Sequence, residues 1–211
     1  MKNLRKSSYG KTWQAKSDDW YTNIYVARPL LHENFVDYLT RNSDVKTILE
    51  IGCGAGVYPI KLRELFSNKK YLGIDISEQA ITYCKNHSQF DFICGDFLQI
   101  ELPEKYDLVF SHAVVDHVYD IDLFLSKIVQ TCRKHAYVSS YRGYFPNLGE
   151  HRMTWNNDEG CYYNDLSVNQ IRRTLIQSGL QENEFTIRSQ ESGQRDKYLD
   201  GVETVIEISR K

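Results

Sequence analysis

Apolar residues along the chain follow two different spacings. Short runs of β-favouring residues occupy 47–51, 71–76, 90–94, 106–111, 136–140, 184–189 and 203–209, the last carrying Val205, Ile206 and Ile208. Between them the spacing turns helical. Pro29 opens a stretch in which Leu30, Leu31, Phe35, Val36 and Leu39 share one face, closed by Asn42-Ser43-Asp44. Residues 57–67 fit a second helix with Pro59 in its tolerant first turn. Ser77 and Ser167 are placed as N-caps of helices over 78–87 and to about 177, and another helix is expected over 122–134. Strands alternating with helices predict an α/β domain with a mostly parallel sheet and helices on both faces. The last two strands have no helix between them and predict an antiparallel hairpin.

Two segments lack a sustained period. Residues 1–30 carry Tyr9, Trp13, Trp20, Tyr21 and Tyr25 among polar residues, which suits an arm or helix whose aromatics pack on the domain, or a lid over a ligand. Residues 141–165 read as a long irregular insertion rich in Tyr, Gly, Asn and Arg.

The chain has 211 residues, 41% hydrophobic and 26% charged, enough for one domain with a real core. A net charge of −2 provides no global field for nucleic acid or an anionic membrane, so neither is expected as a partner. The basic start MKNLRKSSYGK runs into polar and aromatic residues and fails as a secretory signal, and no stretch suits a membrane span. Five scattered cysteines without a CxxC pair read as reduced thiols of a cytoplasmic protein, not a zinc site.

The chemistry starts where the first strand meets Gly52-Cys53-Gly54-Ala55-Gly56. Glycines between a strand and a helix let backbone approach a ligand closely. The spacing is GxGxG, and Val57 stands where the dinucleotide fingerprint has its third glycine. Glu50, Asp75 and Asp96 end three successive strands, at the edge where open α/β sheets bind ligands. Acidic walls suit a ligand with cationic and hydroxyl groups, such as S-adenosyl-L-methionine, better than a pyrophosphate.

ILEIGCGAG, YLGIDIS, CGDF and YDLVFSHAVVDHV together resemble the class I S-adenosylmethionine-dependent methyltransferases over about residues 45–140. The late TVIEI agrees with that family's reversed final strand, so the resemblance implies a Rossmann-like seven-stranded sheet with a C-terminal antiparallel strand. It further implies that Glu50, Gly52, Cys53 and Gly54 hold the methionine portion, that Gly56 belongs to the same cofactor-binding turn and that Asp75 holds the ribose. Ile76, Asp96 and Phe97 would surround the adenine, with Ser111 and His112 closing the floor. The product would be S-adenosyl-L-homocysteine. Cys53 is read as a small filler of the turn.

Methyl transfer chiefly requires an aimed acceptor lone pair, and a base only for an acceptor that stays protonated. His112, His117 and His151 are the candidate catalytic residues, with Asp116, Tyr141 and Arg142 beside them as candidates for base or orienter. The Asp116-His117 pair resembles the small-molecule enzymes of the ubiquinone-biosynthesis type, some of which hold a metal there. Ala113 replaces the acid such a metal needs, so no metal is expected. Packing of His117 against the next helix is the alternative. Tyr141, Arg142, Tyr144, Arg152 and Trp155 are candidates for binding a small-molecule acceptor, the arginines suiting an acidic one; a loop with its own aromatic core is the alternative. Competing functions are a nicotinamide-dependent oxidoreductase, a non-catalytic cofactor binder, and a protein or nucleic-acid methyltransferase. SHAV stands where amino-methylating enzymes often carry an Asn/Asp-Pro-Pro-Tyr/Phe tetrapeptide.

Overall fold

A computed structural model describes residues 5–27, 33–191 and 201–210. In chain order the elements are α1 (Lys11–Gln14), α2 (Asp18–Ala27), α3 (Glu33–Arg41), β1 (Thr47–Ile51), α4 (Val57–Lys61), α5 (Arg63–Phe66), β2 (Lys70–Asp75) and α6 (Glu78–His87). They continue with β3 (Asp91–Cys94), β4 (Tyr106–His112), α7 (Ile121–Thr131), β5 (Cys132–Ser140), β6 (Arg152–Asn156), β7 (Cys161–Asp165), α8 (Val168–Gln177), β8 (Phe185–Glu191) and β9 (Val202–Ser209).

Seven strands form one sheet in the order β3-β2-β1-β4-β5-β9-β8. The first five are mutually parallel, and β9 runs antiparallel between β5 and β8. Alternation along the strands supplies both faces. Leu49, Ile51, Val109, Val138 and Ile206 are buried with Phe124, Leu125 and Ile128 of α7 and Ile171 and Leu175 of α8. Ile48, Tyr71, Leu108, Phe110, Tyr137 and Val205 face Phe35 and Leu39 of α3, Phe66 of α5 and Cys84 of α6. Because the chain leaves β1 toward β2 and β3, then returns to β4, the topological switch point opens between β1 and β4.

Three local expectations need correction. The 141–165 insertion is not irregular: β6 and β7 pair antiparallel as a separate two-stranded sheet. Its strands carry few aliphatic residues, so the period-2 signal is masked. The stretch 57–67 is two short helices broken at Leu62. The helix expected over 122–134 ends at Thr131, because Cys132 already pairs with Tyr106 and Arg133 turns to the Asp107 carboxylate at 2.7 Å. The predicted caps form: Ser77 and Ser167 accept from the amides of Ala80 and Gln170. Pro29, Leu30 and Leu31 lie outside the described residues.

At the amino edge, Asp107 Oδ2 accepts from the amides of Lys46 (2.8 Å) and Thr47 (3.2 Å), fixing the start of β1 beside β4. Burial raises its carboxyl, but these bonds and Arg133 outweigh that and hold it below the usual range. Asp107→Ala is expected to cost about 1–3 kcal/mol in urea unfolding at neutral pH. That difference should shrink as acid protonates the wild-type carboxylate.

Candidate active site

The glycine turn closes back on the sheet. The amides of Gly52 and Cys53 both donate to the Ile74 carbonyl, at 2.7 and 3.1 Å. Gly52 has φ +72°, and a Cβ there would lie 2.1 Å from Val114 Cγ2, so the turn and the exit of β4 pack together only with glycine. At Gly54 the same test meets nothing within 4 Å, which leaves the outer face of the turn open. The Gly54 amide donates to Asp75 Oδ2 (2.8 Å) and the Ser77 amide to Asp75 Oδ1 (2.8 Å). Asp75 thus links the turn to the start of α6. Burial raises its carboxyl, and the amide hydrogen bonds pull it back.

Glu50 is 5% exposed, and its Oε2 accepts from the Tyr71 hydroxyl. Burial pushes its carboxyl up to about 8, with the Asp75 charge adding to the rise and the Tyr71 bond opposing it. Cys53 is buried beneath the turn and burial raises its thiol, as suits a filler. Ser111 Oγ donates to the Ile51 carbonyl at 3.0 Å, so its side chain ties β1 to β4 inside the sheet. Asp96 Oδ1 accepts from the Leu98 amide and Oδ2 from the Tyr119 hydroxyl, both at 3.0 Å, and Arg5 approaches at 3.7 Å. The Phe97 ring packs in the core against Phe124, 5.6 Å between centroids, leaving the site its backbone rather than its ring.

The three candidate histidines occupy three separate environments. His112 Nδ1 lies 2.8 Å from Ser139 Oγ, and its ring stacks on Tyr58 and meets Phe35 edge-on. His151 lies within the insertion, just before β6: its Nδ1 accepts from the Ser167 amide at 3.0 Å and its Nε2 is 3.7 Å from Asp122. It anchors the ends of α7 and α8 and touches none of the three edge acids. His117 lies at the carboxyl edge, ringed by Trp13, Tyr141 and Tyr163 at 5.2–5.7 Å between centroids. Its Nδ1 is 2.9 Å from the Tyr162 carbonyl and its Nε2 2.9 Å from the Tyr141 hydroxyl. Burial pushes its pKa down to about 4, so it is neutral at physiological pH.

Asp116 is fully buried, and its Oδ1 accepts from Ser140 Oγ (2.6 Å) and the Arg142 amide (3.3 Å). Its backbone carbonyl accepts from the Asn164 amide at 2.8 Å. Asn164 Nδ2 donates to the carbonyls of Val115 (2.9 Å) and Val118 (2.8 Å), so the β6–β7 hairpin is seated on the loop holding His117. Asn164 carried no signal in the sequence beyond being a polar residue in an aromatic stretch. Arg142 and Arg152 both pair with Asp165, at 3.2 and 2.6 Å, and Arg142 lies over the Tyr163 ring. Trp155 packs on Tyr162 and donates to Asn157. Tyr144 is half-buried just beyond the exit of β5.

The N-terminal residues lie across this edge. The amides of Gly10 and Thr12 donate to the carbonyls of Gly160 (2.8 Å) and Glu159 (3.2 Å) at the hairpin turn. Ser77 Oγ donates to the Trp13 carbonyl at 2.9 Å, and Gln14 donates to the Ile76 carbonyl. The Tyr9 ring meets Tyr119 edge-on. A Cβ on Gly160 (φ +65°) would fall 2.3 Å from the Ser8 carbonyl, so this docking requires glycine. Among the described residues no group of three His, Cys, Asp or Glu is placed to hold a metal, and no helix is long and apolar enough to cross a membrane.

Residues 42–191 match the family described as "Methyltransferase domain", and the chain belongs to it. Its sheet is the Rossmann-like methyltransferase sheet with a reversed final strand. Malonyl-[acyl-carrier protein] O-methyltransferase of Acetivibrio thermocellus is 30% identical over 56% of this chain and 42% of its own length. Ubiquinone biosynthesis O-methyltransferase of Bradyrhizobium diazoefficiens is 33% identical over 38% of this chain and 33% of its own. The chain therefore spans less than half the length of these relatives. Among solved structures, magnesium protoporphyrin IX methyltransferase of Synechocystis PCC 6803 with bound cofactor superposes with TM-score 0.58 at 18% identity, covering 85% of this chain and 77% of that one. The plantazolicin methyltransferase BpumL superposes with TM-score 0.62 at 15% identity over 96% and 95% of the two chains.

Burial raises the Asp116 carboxyl to about 7. A raised acid contributes stability at low pH that is lost as pH climbs from its ordinary 3.8 through the folded value. Asp116→Asn keeps the Oδ1 acceptor and removes the charge. Thermal melts should show the wild type losing ground to this variant between about pH 4 and pH 8; parallel curves would contradict the buried-acid account.

Proposed function

We propose that the chain is an S-adenosylmethionine-dependent methyltransferase acting on an oxygen or nitrogen atom of a small-molecule acceptor. The observation that carries this is the convergence of Glu50, Asp75 and Asp96 at the ends of β1, β2 and β3 around a glycine turn whose outer face is open. The donor set fits. Acids at this edge favour a sulfonium and an ammonium, and Glu50, which burial keeps mostly neutral at pH 7, ionises more readily once a cation approaches. The backbone of Gly52, Cys53 and Gly54 would hold the methionine portion, Asp75 the ribose hydroxyls, and Ile76 and Asp96 the adenine. When bound, the cofactor supplies an electrophilic methyl group.

The rest belongs to the chain. Lying over Ile76, Ser77 and Tyr119, residues 5–14 form a lid that excludes water from the donor. Beyond β4 the acceptor would lie against the exit of β5 and the β6–β7 hairpin, within reach of Tyr141, Arg142 and Tyr144. Oxygen as the acceptor atom is supported by the names of the two O-methyltransferase relatives. Arg142 and Arg152 are already paired with Asp165, so they shape the pocket wall more than they offer free charge. Residues 1–211 acting as one domain in the cytoplasm, on a small molecule rather than on nucleic acid or a membrane, complete the reading.

Calorimetry tests it. S-adenosylhomocysteine should bind and NADH should not, and Asp75→Asn should weaken the first roughly tenfold or more, the loss of a charge-assisted hydrogen bond. Binding of NADH alone would contradict the proposal.

A further inference from the structure

The hydrogen bonds around His117 settle its tautomer. A carbonyl oxygen only accepts, so the contact of Nδ1 with the Tyr162 carbonyl at 2.9 Å requires a proton on Nδ1. Nε2 of the neutral ring then carries the lone pair, and the Tyr141 hydroxyl, 2.9 Å away, must donate to it. The oxygen lone pairs of Tyr141 are left facing away from the imidazole. Tyr141 directly follows β5, next but one to the switch point on the side where the acceptor is placed above.

We propose that Tyr141 and His117 form a proton relay for a hydroxyl acceptor, with Tyr141 as the group that touches it; this rests on the methyltransferase reading. In the step, the acceptor O–H donates its proton to Tyr141 Oη while the Tyr141 proton passes to His117 Nε2. The freed oxygen pair forms the O–CH3 bond as the donor's S–CH3 bond breaks with its pair on sulfur. His117 leaves the step as an imidazolium and returns its proton to solvent.

The surroundings of His117 define the acceptor class. Trp13 of α1, Tyr162 and Tyr163 of β7 and Tyr141 enclose the ring, with Glu159 favouring its protonation and Arg142 opposing it. A base so enclosed is unprotonated at neutral pH but weak. It suits a comparatively acidic hydroxyl such as a phenol or enol. A carboxylate acceptor is already ionised and an amine presents its own lone pair, and neither needs a relay.

Nitrogen-15 NMR of histidine-labelled protein with S-adenosylhomocysteine should show His117 protonated at Nδ1 and bare at Nε2. In Tyr141→Phe the Nε2 resonance should move; protonation at Nε2 in the wild type would overturn the relay. The second arm incubates methyl-labelled S-adenosylmethionine with a small-molecule metabolite extract. The expected product keeps its label in hot alkali, as an ether does, and stays neutral in acid. Release of label as methanol, the mark of an ester, or a basic product would overturn the hydroxyl class. Tyr141→Phe should lower kcat about 10²-fold, leave S-adenosylhomocysteine affinity unchanged, and recover rate as pH rises and the acceptor ionises unaided. Unchanged kcat with only a lower melting temperature would make Tyr141 structural and overturn the relay. No product from the wild type, with cofactor binding intact, would count against methyl transfer itself, and the relay would fall with it.

Discussion

The Asp75 carboxylate is the constraint on which the site depends. One oxygen takes the Gly54 amide and the other the Ser77 amide, so a single side chain fixes the glycine turn after β1 against the helix after β2. A charged acceptor holding two backbone donors is stronger than a neutral one, and here it works half-buried. The turn can then keep its outer face free of side chains, and the loop after β4 can press Val114 against Gly52 from the other side. Ser111 completes the closure by holding β1 to β4 across the switch point.

Around this frame the acids are graded by environment. Glu50, buried and bonded to a tyrosine hydroxyl, is pushed toward neutrality, whereas Asp75 keeps two amide donors that oppose its burial. One sheet edge therefore offers one acid poised to ionise when a cation arrives and another whose carboxylate is oriented by backbone amides, with a lone pair left on each oxygen. Asp116 extends the pattern one strand further, tying β5's exit and the hairpin to the loop that presents His117.

Much of this was legible in the chain. Strand runs ending in Glu50, Asp75 and Asp96 are local signals, and their parallel order follows from the alternation of strands and helices. The role of Ser77 as a cap was equally local. What escaped were contacts whose partners lie far apart in sequence. Nothing near Arg142 or Arg152 announces that Asp165 will take both, and nothing near His151 announces Asp122 and Ser167. The hairpin was hidden because tyrosines, polar residues and a glycine turn replace the aliphatic alternation that marks a strand. The docking of residues 8–14 on that hairpin depends on Gly160, whose need for glycine shows only once Ser8 is against it.

The central claim is that the carboxyl edge of β1, β2 and β3 holds S-adenosylmethionine. An amide NMR titration with S-adenosylhomocysteine examines it directly. The largest shifts should fall on Gly52–Gly56, on Asp75, Ile76 and Ser77, and on Asp96 through Leu98, with smaller ones along residues 8–14. Shifts confined to the β8–β9 side of the sheet, or no saturable shifts at all, would contradict the account.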